Sequence, residues 1–120
     1  MINSFIPMGN TVALSVTTSS HTPVQVTPSA ALAVFQYSIQ NIGPNPAFVV
    51  MAAPITNGGG IQSAPSLTAA IPTDGTSANG WVIQNGQRMV VTGPPNAYFA
   101  AICAATQSAT LYITPGDGIA

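Results

Sequence analysis

The stretch "VFQYSIQN" at residues 34–41 decides the fold, because apolar and polar side chains alternate along it from Phe35 to Gln40. Aromatic or aliphatic side chains occupy every second position, and amide or hydroxyl side chains occupy the positions between them. A period of two is that of a β-strand, since successive side chains point to opposite faces of a sheet. The stretch therefore predicts a strand with one buried face and one solvated but uncharged face.

The segments that follow predict a turn and a second strand. Residues 42–46, "IGPNP", have the Gly, Pro and Asn chemistry of a turn. Residues 47–55, "AFVVMAAPI", are apolar at both odd and even positions. Because both faces of such a strand have to be covered, we expect it in the middle of a sandwich or against a neighbouring subunit.

Two hairpins are predicted further along the chain. Trp81-Val82-Ile83 and residues 88–91 flank "QNGQ", where Asn-Gly is a hairpin signal. "AYFAAICAA" at 97–105 and "ATLYITP" at 109–115 are expected to pair across residues 106–108. The chain would then end just after the second of these strands, because Pro115 interrupts the ladder and the glycines around Asp117 permit a turn.

Eleven Pro and eleven Gly leave few windows for a helix. The one helix-like stretch, "PSAALAVF" at 28–35, is interpreted as a turn or a brief 3₁₀ segment. The rest predicts seven or eight short strands, separated by turns roughly every ten residues. The expected fold is all-β: a single antiparallel β-sandwich or small jelly-roll-like barrel over residues 11–120. Residues 1–10 are expected to form an N-terminal arm that reaches to a neighbouring molecule, since short extended segments can add to exposed sheet edges.

Charge is nearly absent from this chain. Arg88, Asp74 and Asp117 are its only charged side chains, 2% of all residues, whereas about 25–35% is usual for a soluble surface. This composition offers no basic patch for nucleic acid and no polybasic segment for a membrane. Apolar runs fall short of the roughly 18 residues of a spanning helix, and the N-terminus lacks the pattern of a signal peptide. A surface with so little self-repulsion favours association, so we expect an oligomer or an assembly component.

The titratable groups do not form a catalytic pattern. His21 lies in the polar stretch "SSHTPV", and Cys103 lies in the Ala-rich stretch "AAICAAT" without a basic neighbour. One His and one Cys cannot complete a zinc site, and two distant carboxylates do not form an acid–base pair or a calcium loop. Residues 58–60, "GGG", lack the Lys of a phosphate-binding loop. The sequence predicts no enzyme, no cofactor and no metal.

Residues 56–79 are polar and lack a regular period, and a stretch this long in a compact domain is usually functional or mobile. Together with this loop, four side chains are predicted contacts with a partner: Val49, Met51, Trp81 and Arg88. Arg88 has two interpretations, pairing with Asp74 or Asp117 at a strand edge, or anchoring a carboxylate on a partner. An alternative is a sugar platform made of the four aromatic residues Trp81, Tyr98, Phe99 and Tyr112.

Three segments resemble small accessory proteins encoded among the structural genes of tailed bacteriophages. They are "NIGPNPAFVVMA" at 41–52, "QNGQRMVV" at 84–91 and "AYFAAICAATQSATLYITPGDGI" at 97–119. The resemblance consists of an "N-x-G" turn before an "F-V" strand, a polar turn ending in "GQ", and a closing "LYITPGxG". It covers about the last two-thirds of the chain.

The resemblance implies a β-sandwich located in the virion, as a head decoration or cement protein. Such proteins contact the major capsid protein, copies of themselves, or both, often as trimers, and they share no catalytic residues. A head–tail or tail component of the same particle is one alternative. A carbohydrate-binding module is an alternative from another class, and a pilus-like or surface-layer subunit is a third.

Overall fold

The computed structural model describes residues 5–27, 36–60, 62–75 and 80–117 and confirms the all-β prediction. The described ranges hold eleven strands, one 3₁₀ turn at Gly58–Gly60 and no α-helix. The strands are β1 (Ile6–Pro7), β2 (Val12–Val16), β3 (Val24–Gln25), β4 (Gln36–Pro44), β5 (Ala47–Ala52), β6 (Ile55–Thr56), β7 (Gln62–Ser63), β8 (Trp81–Ile83), β9 (Arg88–Thr92), β10 (Tyr98–Ile102) and β11 (Ala109–Asp117). The turn or 3₁₀ segment predicted at 28–35 lies outside the described residues.

The strands form two main antiparallel sheets, which we call sheet A and sheet B. Sheet A has the order β1-β11-β4-β9, with β2 pairing on the same edge of β11 as β1, and sheet B has the order β3-β10-β5-β8. The pairs are nested: β2 with β11, β3 with β10, β4 with β9 and β5 with β8. A long hairpin rolled up in this way is a jelly roll, one of the two forms that the sequence predicts.

Nested pairing makes both predicted hairpins wrong. The turn at residues 84–87 joins β8 in sheet B to β9 in sheet A, and β10 and β11 also lie in different sheets. The turns themselves are present, closed by Gln87 N–H donating to Gln84 O at 2.9 Å and by Gln107 N–H donating to Ala104 O at 3.0 Å. Each turn therefore carries the chain from one sheet to the other instead of between neighbouring strands.

The inner faces of the two sheets enclose the core. Tyr37 of β4 meets Phe99 of β10 edge to face, with ring centroids 5.1 Å apart, an arrangement that aromatic pairs favour. The Tyr37 hydroxyl donates to Pro94 O at 2.6 Å and accepts from Ala97 N at 3.1 Å. The other large, fully buried side chains are Leu14, Val16, Val26, Ile39, Asn41, Val49, Ile83, Leu111 and Ile113.

Asn41 is the one polar side chain among these large, fully buried ones, and it organises a corner of the sandwich. Its amide donates to Asn45 O at 2.9 Å and to Ile83 O at 2.8 Å, and its oxygen accepts from Gly43 N at 2.7 Å. Gly43 has a φ of +91°, which glycine adopts without a Cβ penalty. The "N-x-G" motif is thus a hydrogen-bonded irregularity near the end of β4, where its register with β11 shifts, and it fixes the passage from β4 to β5.

The last strand is longer than predicted. β11 continues through Pro115 and Gly116 to Asp117, with Pro115 opposite Tyr37. Pro115 does not interrupt the hydrogen-bond ladder. Its carbonyl accepts from Met8 N–H on the edge of β11 that pairs with β1 and β2, in the interval between these two strands. The N–H that proline lacks would point to the same interval, where neither β1 nor β2 pairs with Pro115. The prediction that Pro115 and Asp117 lie in a strand-ending turn is therefore wrong.

The N-terminal residues lie along the edge of sheet A. Ile6 pairs with Asp117 and Pro7 with Gly116, and the buried ring of Phe5 covers Gly116 so closely that a Cβ there would collide with it. Residues 1–4 lie outside the described part of the chain. An arm that reaches a neighbouring molecule stays a prediction.

Candidate functional site

The structure places the four predicted contact residues in two regions. Val49, Met51 and Trp81 belong to sheet B, with Val49 directly opposite Trp81, whereas Arg88 lies on sheet A. Val49 has no accessible surface, so its side chain is part of the core and does not reach a partner. Met51 and Trp81 are half-buried and share with Gly80 a hollow of about 250 Å³.

The middle of the outer face of sheet B, on β5 and β10, is covered by the protein's own loop, whereas Val82 on the edge strand β8 is exposed. This cover segment, residues 55–60 and 62–75, begins with the hairpin of β6 and β7. Leu67 and Ala69 then pack on Val50, Ala100 and Ile102. Because the chain itself covers this face of β5, the apolar character of "AFVVMA" on both faces does not require a neighbouring subunit.

Two hydrogen bonds from distant segments hold the cover segment in place. The Gln25 amide donates to Gln62 Oε1 at 2.8 Å, linking β3 to β7. Ala69 N–H donates to Ser20 Oγ at 2.9 Å. Both anchors lie in residues 20–25, at the edge of sheet B next to β10.

The outer face of sheet A is different, and we call it the open face. Strand alternation places Gln40, Ile42, Arg88 and Tyr112 there, and all four side chains are exposed. Ile42 is 48% exposed and Tyr112 is 39% exposed, and Tyr112 stands opposite Gln40 on the neighbouring strand. The open face thus combines large apolar side chains with amide and hydroxyl groups and one positive charge.

Sequence reasoning identified Arg88 but missed Ile42. The predicted turn at 42–46 hid it, whereas β4 runs on to Pro44. The signal was present in the alternation at 34–41, which places residue 42 on the polar side of the strand. An apolar side chain at that position is the exception that marks a candidate contact.

A hollow of about 330 Å³ opens on this face and is lined by Phe5, Pro7, Ser38, Gln40, Arg88 and Thr114. Arg88 Nε donates to Ser38 Oγ at 2.8 Å. The guanidinium carbon lies 5.5 Å from the centroid of the Phe5 ring, within the range of a cation–π interaction. Both interpretations of Arg88 stay predictions. The structure shows its contacts with a hydroxyl and a ring, and neither contact neutralises its charge.

The aromatic residues of the predicted sugar platform do not come together. Phe99 is fully buried in the core, and Trp81 packs against the core from β8. Tyr112 lies on the outer face of sheet A, whereas Tyr98 alternates to the outer face of sheet B beside Gln25. No two of these four rings thus form a shared stacking surface on the open face.

The titratable side chains are also dispersed. Burial raises the pKa of the Cys103 thiol, which favours the unreactive protonated form. The His21 ring Nδ1 lies 2.7 Å from Thr22 O, its own neighbour in sequence. Over the described ranges, no three His, Cys, Asp or Glu side chains are grouped as metal ligands, and no helix has the length and apolarity to cross a membrane.

Comparisons with protein families, with curated proteins and with solved structures found no match to this chain. Function is therefore inferred from the site, since a fold by itself does not determine a function.

Proposed function

We propose that this protein is a non-enzymatic structural component of a tailed-phage virion that decorates or cements the capsid. The open face would pack against the major capsid protein, against further copies of this chain, or against both. The observation that carries the proposal is the surface chemistry of this face. Ile42 and Tyr112 are exposed on a sheet whose polar groups are almost all uncharged.

A surface of this kind suits permanent burial. Ile42 and Tyr112 supply apolar area, which stabilises an interface when it leaves water. Hydroxyl and amide groups such as Gln40 can form hydrogen bonds across the contact without the desolvation penalty of buried ions. Jelly rolls occur in viral capsid domains, and also in lectins and cupins, so the topology is compatible with the proposal and the surface is what favours it.

Intact-mass analysis of purified particles from the source tests the proposal directly. We expect the 12.1 kDa chain at hundreds of copies per particle. A few copies would move the protein to the tail or the head–tail junction, which is the alternative within the same particle. Absence from particles would contradict the virion proposal, and a glycan screen would then test the carbohydrate-binding alternative.

A pair of matched variants tests whether the open face makes the contact. Ile42→Asp places a charge on the open face, and Val82→Asp places one at a similarly exposed position of sheet B, 41% accessible. Ile42→Asp is expected to abolish reattachment to stripped particles, whereas Val82→Asp retains it. Reattachment of Ile42→Asp as complete as that of Val82→Asp would exclude the open face as the contact surface.

Salt dependence tests the nature of the contact. Apolar and uncharged groups lose little attraction when ions screen the solution, whereas an interface of ion pairs weakens. Reattachment of the wild-type chain is therefore expected to persist in high salt at constant pH. Release of the protein by salt would show that charge, rather than apolar burial, holds it to the particle.

A further inference from the structure

The hollow around Arg88 has the chemistry of a small recognition site on the open face. Its volume of about 330 Å³ is at the lower end of the range for ligand pockets, about 300–1,000 Å³. It can hold one or two residues of a peptide but not a large ligand. Arg88, the chain's single Lys or Arg, contributes its positive charge.

The guanidinium of Arg88 is held on two sides. Its Nε donates to Ser38 Oγ at 2.8 Å, and Ser38 is only 7% exposed, so this acceptor is itself fixed in the sheet. The Phe5 ring lies 5.5 Å from Arg88 Cζ. A guanidinium has five N–H donors, so four remain on the two Nη atoms for a ligand. An arginine that is already oriented loses less conformational freedom on binding.

Uncharged hydrogen-bonding groups border the hollow. Gln40 stands directly opposite Arg88 on the neighbouring strand, and Thr114 stands opposite Ser38 on the other side of β4. The Thr114 hydroxyl lies 2.7 Å from that of Thr11, which orients it at the border of the hollow. One cation is therefore surrounded by an amide and hydroxyl groups.

We infer that this hollow binds a single carboxylate of a partner polypeptide, held by the Nη edge of Arg88 and by Gln40. One positive charge matches one carboxylate, and the planar fork of a guanidinium fits its two oxygens. A phosphate dianion would leave excess negative charge beside a single arginine. The identity of the partner as a virion subunit rests on the proposed function, whereas the binding of a carboxylate does not.

The composition of the chain allows a direct test by nuclear magnetic resonance. With one Arg and no Lys, the Nε–H of Arg88 gives a single guanidinium signal. The wild-type protein is titrated with three probes: N-acetylaspartate amide for a side-chain carboxylate, N-acetylalanine for a terminal carboxylate, and N-acetylasparagine amide as the uncharged match. A saturable shift of the Arg88 Nε–H and of the Gln40 amide is expected with a carboxylate probe alone. The stronger of the two carboxylate probes identifies its source.

A response to N-acetylasparagine amide as large as that to N-acetylaspartate amide would overturn the inference, as would no response to either carboxylate. Neither result requires a variant to fold. Arg88→Lys, which keeps the charge but lacks the fork, is expected to weaken binding at least tenfold, followed through the Gln40 amide. Unchanged binding in a folded Arg88→Lys or Arg88→Gln protein would contradict the role of Arg88. Because the titration uses the isolated protein, its failure is separate from absence of the chain in particles.

Discussion

The outer faces of the two sheets differ in what lies on them. Sheet B carries Val50, Ala100 and Ile102 beneath the cover segment, which supplies Leu67 and Ala69. Sheet A carries Ile42 and Tyr112 in the open. Outward apolar side chains on the central strands are thus internal in sheet B and external in sheet A, while Val82 on the edge strand β8 of sheet B is also exposed. The difference teaches that a strand apolar on both faces is weak evidence for a partner, whereas an apolar residue on a polar face is better evidence.

The largest effect is expected from placing a charge on each face. Val50→Asp puts a carboxylate beneath the cover segment, where Val50 is only 7% exposed. An unpaired buried charge is strongly destabilising, so the free energy of unfolding should fall by more than about 3 kcal/mol. Ile42→Asp on the open face should change it by no more than about 0.5 kcal/mol. Urea unfolding measures both variants, and an equal loss in the two would show that the faces are alike.

A smaller difference is expected between two tyrosines. Tyr37→Phe leaves Pro94 O and Ala97 N without their buried partner, which should cost about 1–3 kcal/mol. Tyr112→Phe removes an exposed hydroxyl and should leave the unfolding free energy within about 0.5 kcal/mol of wild type. Thermal and urea unfolding of the pair test this, and a stability loss in Tyr112→Phe would mean that the open face is more constrained than its exposure indicates.

The core should also respond to alkaline pH. Burial raises the pKa of the Cys103 thiol and that of the Tyr37 hydroxyl above their ordinary values. Since the folded state holds these protons more tightly than the unfolded state, their contribution is complete below the ordinary pKa and is lost as the pH rises through the folded pKa. The unfolding free energy should therefore decrease above about pH 9, and Cys103→Ala together with Tyr37→Phe should flatten the decrease. A rise in stability over this range would contradict the assignment.

The smallest expected effect concerns the attachment of the cover segment. Ser20→Ala removes the acceptor of the Ala69 N–H, which should cost about 0.5–1.5 kcal/mol. Hydrogen exchange at the Ala69 amide should become faster by up to about tenfold, while core amides such as that of Phe99 change less. Ser15→Ala, at an exposed position of β2, is the matched control and should leave exchange at Ala69 unaltered. Equal exchange in both variants would show that the bond does not hold the segment.

Much of the architecture follows from local sequence signals, but strand pairing does not. Alternation at 34–41 predicts β4, and the turn residues of "QNGQ" correctly mark a reversal of the chain. The reversal between Ile83 and Arg88 nevertheless leads to the other sheet. A turn determines where the chain changes direction, whereas the neighbours of each strand depend on segments far away in sequence. Strand and turn signals were enough to predict a sandwich, which is confirmed. They did not determine the partner of each strand, and both predicted hairpins were therefore wrong.

The candidate site was predictable in part. Arg88 stands out because charge is so rare in this chain, and the structure places it at a hollow on the open face. Phe5 could not be linked to Arg88 from sequence, since β11 and β4 lie between their strands. The position of the cover segment was equally hidden, because Leu67 and Ala69 show no period and their anchor at Ser20 is 49 residues from Ala69.

The nested pairing has a consequence for how the chain folds during synthesis. β11 lies between β2 and β4 in sheet A, so β2 cannot join the pair of β4 and β9 before residues 109–117 leave the ribosome. Translation at roughly 5–20 residues per second separates the emergence of β2 from that of β11 by on the order of ten seconds. During that interval β2 lacks its strand partner and β4 can pair only with β9, which leaves strand edges open and makes nascent chains prone to association. Folding of sheet A therefore waits for the emergence of β11, and chaperone demand should be greatest just before β11 appears.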